Sequence, residues 1–387
     1  MKNAKFFRKF VLVNVFFLLS FNMMMGQKQH ISLKDSIDGA VDLSDYIIYA
    51  HGFLVIPTIV TEPALGGIGV AVAPIFLKKH EPVIEEDGTK RFINPDITGG
   101  IGMYTGNKSW LAGAFRSSTL IKPKILYRVF AAYGNMNLSF YENMPNGNDK
   151  EFKLNFKTAI FYTQWLKQFK NAKWSAGPQY LLLNSDINLP DLDVNLPPSF
   201  VKPKDYKSLV SQLGAAVQFD GRDNIFTPDK GIRVQSDFFW SDKAIGSDYN
   251  SWRINLSAIG YYPLSKKLIG GLRIEGEQAL GSPPFYLLPA INMRGIPAAR
   301  YMGKTSIVTE TEFRWDLYRR WSLMAYGGLA SAFNDWDQAF AKPVVYSYGS
   351  GFRYLLARKF KLRMGIDVAK GPEEWAYYIV FGSNWMR

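Results

Sequence analysis

The side chains that could do chemistry are few. The chain holds three histidines, His30, His51 and His80, and no cysteine. Without cysteine there is no disulfide framework, thiolate metal site, cysteine nucleophile or lipoprotein-type lipidated N-terminus. His51 lies beside a strand expected to begin near Phe53, yet no serine or acid stands at a matching spacing on that strand. A Gly-x-Ser-x-Gly nucleophile elbow is absent. The nearest approach is Tyr346-Ser347-Tyr348-Gly349-Ser350-Gly351, whose glycines adjoin Ser350; glycine there relieves crowding at a strand bend. No metal-ligand cluster, P-loop or dinucleotide fingerprint occurs. No catalytic, cofactor-binding or metal site is therefore expected, and the protein reads as a non-enzyme. Ionisable groups gather instead on alternate positions of short segments, as in Arg273, Glu275 and Glu277, or Glu310, Glu312 and Arg314.

Such faces must be positioned by extended strands, because successive side chains of a strand point to opposite sides. Ile307, Thr309, Thr311, Phe313 and Trp315 alternate with Val308, Glu310, Glu312, Arg314 and Asp316. Phe360, Leu362, Met364, Ile366 and Val368 alternate with Lys361, Arg363, Gly365, Asp367 and Ala369, and Trp252, Ile254, Leu256 and Ala258 with Arg253, Asn255 and Ser257. A soluble sandwich turns one face of each strand into a dry core and would reject these charges. A membrane barrel with a wet lumen accepts charge inside and large aliphatics outside. Aromatics at segment ends, Phe238 and Trp240 or Trp315 and Tyr318, fit interfacial girdles. The fold class expected is all-β: a transmembrane antiparallel β-barrel of about sixteen strands. Nine strands are read at 208–219, 232–241, 249–263, 267–280, 305–317, 321–333, 344–357, 360–371 and 375–385. Seven more lie between 53 and 190, where Ile125 to Tyr141 is either one long strand or two short ones.

Composition agrees. Of 387 residues 47% are hydrophobic and 15% aromatic, and the mean hydropathy of −0.10 is too low for a bundle of membrane helices. The formal charge of +13 is spread over pairs such as Lys78 and Lys79, Lys202 and Lys204, Lys266 and Lys267, and Arg319 and Arg320. These fall at turns and strand ends, beside lipid headgroups, and no basic helix or zinc spacing points to nucleic acid. Lys2, Lys5, Arg8 and Lys9 precede an apolar stretch from Phe10 to Phe21, with Gly26 before polar Gln27. That is the layout of a cleavable secretory signal, the stretch being short for a span. The expected division is a signal peptide over 1–26, a short periplasmic segment over 27–52 and the barrel over 53–387.

Two segments are more than patterning. Asp220-Gly221-Arg222-Asp223-Asn224, with Pro228 and Gly231 ahead of a strand, resembles the D-x-R-D-N…P…G hairpin of the BamA/TamA (bacterial surface antigen) outer-membrane assembly barrels. Met293-Arg294-Gly295-Ile296-Pro297 is similar to that family's V-R-G-[FY] loop motif, with Met for Val and Ile for the aromatic. The resemblance covers 205–387 well and the earlier part weakly, at Thr61 to Gly66 and Thr105 to Trp110. It implies that the loop around Arg294 folds back into the lumen and that its guanidinium pairs with lumen acids. A guanidinium presents a rigid fork of donors suited to that task. Ala325 to Leu329 carries no acid, so Glu310, Glu312 or Asp367 would have to serve. The periplasmic POTRA modules of assembly members, each about 75 residues in the ordinary domain range, do not fit within 27–52.

The resemblance implies a scaffold or accessory in outer-membrane protein or lipid assembly, in the outer membrane of a Gram-negative bacterium. Its surroundings would be outer-membrane lipid and lipopolysaccharide, with other envelope proteins as the further partner class and no nucleic acid. A passive pore or transporter, and a membrane-embedded lipid-modifying enzyme, are the alternatives. Pro57 removes a ladder donor from the first strand and would weaken its closure against the last; an ordinary bulge is the other reading.

Overall fold

The computed structural model describes residues 32–49, 53–60, 68–78, 80, 83–84, 90–91, 96–143, 149–169, 173–189, 200–339 and 344–385. The proposed signal peptide, His30, His51, Thr61 to Gly66 and the Pro-rich stretch 190–199 lie outside them. Sixteen strands form one antiparallel sheet in chain order. They are β1 (Phe53–Val60), β2 (Gly69–Lys78), β5 (Asp96–Thr105), β6 (Trp110–Leu120), β7 (Ile125–Asn143), β8 (Asp149–Gln168), β9 (Trp174–Asn188), β10 (Lys207–Asp220) and β11 (Gly231–Ser241). They continue with β12 (Ser251–Pro263), β13 (Leu268–Gly281), β14 (Thr305–Tyr318), β15 (Trp321–Phe333), β16 (Val345–Ala357), β17 (Leu362–Lys370) and β18 (Trp375–Phe381). A two-stranded hairpin, β3 (Val83–Ile84) and β4 (Lys90–Arg91), is inserted after β2. Ser44–Tyr49 forms a short helix, α1. Neither of these last two was foreseen.

Ile125 to Tyr141 belongs to one strand, paired with β8 over its full length. Both termini of the sheet emerge at the same end, since the number of strands is even; we call it the terminal end, and its opposite the distal end. Two prolines occur where a ladder breaks. The β2–β5 pairing omits Pro74, and the β8–β9 pairing skips Pro178 between Gln179 and Ala176. A proline has no N–H to donate, so such gaps are where it fits.

Burial follows the alternation. Trp252, Ile254 and Leu256 are exposed on the outer wall, as are Phe313, Trp315 and Leu323. Glu310, Glu312 and Arg314 are buried on the inner wall. Aromatic pairs ring the outer face near both ends. Phe238 and Trp252 lie 5.2 Å apart at the distal end, and Trp321 and Tyr354 5.0 Å apart at the terminal end. β1 and β18 adjoin, so the sheet curls round on itself, but no paired register joins them among the described residues. Pro57 faces outward in β1.

Two of the strand ends that differ from the sequence reading have a local cause in the backbone. β17 begins at Leu362, not 360, because Arg358–Phe360 forms a 3-10 turn closed by Lys361 at φ +51°. β18 stops at Phe381 because Gly382, at φ +78°, turns the chain out of the sheet. Trp385 is consequently not the end of a strand. It is buried against Ile259, Tyr261 and Ile269.

Candidate functional site: a charged cluster inside the barrel

The connection from 282 to 304 crosses the barrel from one wall to the other. Near its start Phe285 packs on Phe140, Leu154 and Phe156, where β7 and β8 extend at the distal end. Further along, Ile291, Met293 and Ile296 pack on Val308, Ala330 and Val345 of β14–β16. These apolar contacts remove the loop from water and supply most of the drive to fold it inward. Gly295 sits at φ +81°, and a Cβ there would lie 3.0 Å from the Gly371 nitrogen. Only glycine meets both conditions cheaply.

The loop delivers Arg294 to the inner wall. Its Nη2 reaches Glu312 Oε2 at 3.1 Å, its Nη1 reaches Asp367 Oδ2 at 3.2 Å, and its Nε lies 3.5 Å from Glu310 Oε1. The guanidinium stacks 3.6 Å from the centre of the Tyr326 ring. The loop backbone is held as well: Tyr378 accepts from the Gly295 N–H at 2.9 Å, and Ser347 donates to the Arg294 carbonyl. Two further arginines complete the cluster. Arg353 gives Asp367 a two-pronged pair at 2.6 and 2.9 Å, and Arg273 bridges Glu310 and Glu275. Trp385 donates its indole N–H to Glu310 Oε2 at 3.1 Å. Three guanidiniums thus offset four carboxylates, and breaking one member of such a buried network is costly.

The hairpin motif lies at the terminal end. Arg222 forks onto Asp220 at 2.9 and 2.7 Å. Asp223 accepts from the N–H groups of Asp229 and Lys230 and pairs with Lys361 at 2.8 Å. Asn224 accepts from Phe226 and Thr227 and donates to the Phe360 carbonyl at 3.1 Å. Asp229, next to Pro228, binds both Lys361 and Arg314. Gly231 adopts φ +105°, and a Cβ would fall 2.3 Å from the Gly221 carbonyl oxygen. The motif is therefore more than a turn. It carries the loop over the mouth of the barrel to the β16–β17 turn, six positions away in the strand order. The tail joins it, with Ser383 N–H donating to the Phe226 carbonyl at 2.7 Å. A cavity of only about 20 Å³ remains between this lid and the arginine cluster, lined by Thr227, Pro228, Glu312, Arg314, Arg353 and Ser383.

Both sequence motifs thus converge on one column of polar contacts through the β11–β18 half of the lumen. Sequence reasoning missed Arg353 and Trp385. Strand parity could have found Arg353, which shares a face with Gly351 and Val345. Among the described residues no group of histidine and acids is arranged to hold a metal. His80 lies 2.9 Å from Asp96, and Ser118 donates to that same carboxylate at 2.6 Å. The hydroxyl addresses the acid and not the imidazole, so no nucleophile–base pair results.

Residues 132–283 match the Omp85 superfamily domain. Among solved structures, BamA from Haemophilus ducreyi lacking POTRA domains 1–3 superposes with a TM-score of 0.54 at 11% identity, over 85% of this chain and 70% of that one. CdiB from Escherichia coli gives a TM-score of 0.55 at 10% identity, over 85% of this chain and 62% of CdiB. Among curated proteins no sequence match is found. At such identities the superpositions speak for the fold. The resemblance to BamA/TamA-type barrels drawn from the two motifs stands: the fold is that of the BamA and CdiB barrels, and the Omp85 superfamily match lies within residues 132–283.

Proposed function

We propose that this protein is an integral outer-membrane scaffold that assists protein or lipid assembly at the β18–β1 seam, with its lumen kept shut. The observation that carries the reading is the contrast between a lumen plugged from both ends and an unpaired seam. The loop of 282–304 blocks the distal side, and the hairpin motif with the C-terminal tail blocks the terminal mouth. At the seam no register pairing holds the first strand to the last among the described residues. An unpaired strand edge is a template for another strand. Apart from the β3–β4 insertion and the hairpin motif, turns at the terminal end are short, as at Arg319–Arg320, and the two longest connections, 189–206 and 282–304, lie at the distal end, which fits a periplasmic and an outer face respectively.

The pore reading has one feature in its favour, a polar cavity of about 410 Å³ bounded by Arg128, Tyr162, Arg233, Asp237, Glu275 and Glu277. Planar-bilayer recording of the purified full chain separates the two. A scaffold with a blocked lumen gives a silent bilayer and co-purifies with envelope proteins from mild detergent. Steady ohmic conductance without such partners would overturn the scaffold reading.

A further inference from the structure

The segment before β1 docks on the far side of the seam. Arg320, in the β14–β15 turn, is buried with its guanidinium spread over three carboxylates. It pairs with Asp35, with Asp38 at 2.7 Å and with Asp42 at 2.7 Å. Its Nη1 also donates to the carbonyls of Val41 and Leu355, at 3.0 and 3.1 Å. In the β16–β17 turn, Arg358 forks onto both oxygens of Asp35 at 2.5 and 2.8 Å, and its backbone N–H donates to Asp42 at 3.0 Å. Ser44 accepts from the Lys359 N–H at 3.1 Å, and Leu43 N–H donates to the Leu356 carbonyl at 2.8 Å. Within the segment, Asp35 and Asp38 also accept from the backbone of Ile37 and Ala40, which fixes the turn that presents them.

The topology gives this docking a direction. β14–β17 stand on one side of the seam and β1 on the other, with β18 between. A chain pinned to the β14–β15 and β16–β17 turns must pass β18 to enter β1 at Phe53. Where it meets β16 it lies on the outer side of the rim. Tyr354 donates to the Val41 carbonyl at 2.8 Å, and Tyr354 packs on the outward Trp321, whereas its neighbour Arg353 points into the lumen.

We propose that residues 32–49 form a strap latching the β18–β1 seam from outside, with Arg320 and Arg358 as a receptor site for its three carboxylates. The latch supplies between the first and last strands the hold that a paired ladder gives elsewhere. Competition for the two arginines by another acidic segment would then release the seam. The role assigned to the latch rests on the reading of the seam as the working edge, but its existence is tested without any cargo.

The chain has no cysteine, so paired spin labels can be placed cleanly in the full-length protein in lipid vesicles. One pair, Ser36→Cys with Arg319→Cys, reports the latch; another, Val55→Cys with Ile379→Cys, reports the seam. The test variant is Asp35→Asn/Asp38→Asn/Asp42→Asn. The expected result is loss of the narrow latch distance together with a seam distance longer by at least one strand spacing, ~5 Å. A released latch with an unmoved seam overturns the proposal, as does a latch distance that survives loss of the carboxylates. Should the triple variant fail to fold, Asp35→Asn alone removes the acid that both arginines share and is read by the same criteria. A seam that opens as expected in a protein with no assembly role would sink the proposed function and leave the latch standing.

Discussion

Trp385 and Glu310 meet at 3.1 Å in the middle of the barrel, indole N–H to carboxylate oxygen, although 75 positions separate them. Glu310 also receives Arg273 and Arg294. The C-terminal tail, entering from the terminal end, and the 282–304 loop, entering from the distal end, are therefore fastened to one carboxylate. The two plugs are a single polar unit, and disturbing either should be felt by the other.

Arg294→Ala should destabilise the barrel most. It leaves Glu312 and Asp367 short of a partner in a buried site, a loss of about 3–5 kcal/mol for a broken buried pair. Heat-modifiability on gels, which separates folded barrel from unfolded chain, should show a lower transition temperature. An unchanged transition would refute the anchoring role of the loop arginine. Arg294→Lys should recover little, since an ammonium cannot span three acids and stack on Tyr326 at once.

Trp385→Phe keeps the ring among Ile259, Tyr261 and Ile269 but deletes the donor to Glu310. A loss of about 1.5–3 kcal/mol is expected, as for a hydrogen bond to a charged group. Trp375, exposed on the outer wall of β18, is the control, and Trp375→Phe should shift stability by no more than about 0.5 kcal/mol. Equal effects in denaturant titrations of the two variants would show that Trp385 is not tied into the cluster.

Gly231→Ala should loosen the lid over the terminal mouth. Its backbone sits at φ +105°, and the new Cβ would meet the Gly221 carbonyl. The strain exceeds about 1 kcal/mol, and it should pull Asp223 and Asp229 away from Lys361. Detergent-solubilised variant should then be cut by protease within 221–230 where the parent resists. Resistance equal to the parent would mean that the hairpin does not depend on this glycine.

Much of the strand plan was legible because alternation is local. β10 to β16 each begin and end within two residues of the ranges read from sequence. What could not be read was where the chain leaves the pattern. Trp385 continues the aromatic run after Ile379 and Phe381, and only the positive φ of Gly382 diverts it inward. The acids at 35, 38 and 42 look like solvated charges in a short leader, because their partner Arg320 lies 278 positions beyond Asp42. Arg320 in turn reads as half of a basic pair at a turn. Periodicity places side chains on faces; it carries no information on which distant turn faces which segment.

The strap should respond to acid, and the sign follows from the carboxylates. Asp42 is held down to about 2: burial alone would raise it, but hydrogen bonds from Ser44, the Arg358 backbone and Arg320 outweigh that. Asp35 is lowered chiefly by the Ile37 N–H and then by Arg358 and Arg320, and Asp38 by Arg320 and the Ala40 N–H. Arg320 is raised further above its ordinary value, burial being outweighed by Asp38 and Asp42, so it stays charged throughout. Lys359 and Asp45 face the same turn at 2.8 Å and form the outlying pair. Docked carboxylates with depressed values bind protons less readily than in the released segment, where aspartate titrates near ~3.9. Docking is thus favoured at full strength above about pH 4 and weakens as pH falls through the docked values. The Ser36–Arg319 label distance should be constant from neutral pH to about 4 and should lengthen between about 4 and 2. In the triple-asparagine variant that transition should vanish. Release already complete at pH 6, or the same titration in the variant, would show that these three carboxylates do not hold the strap.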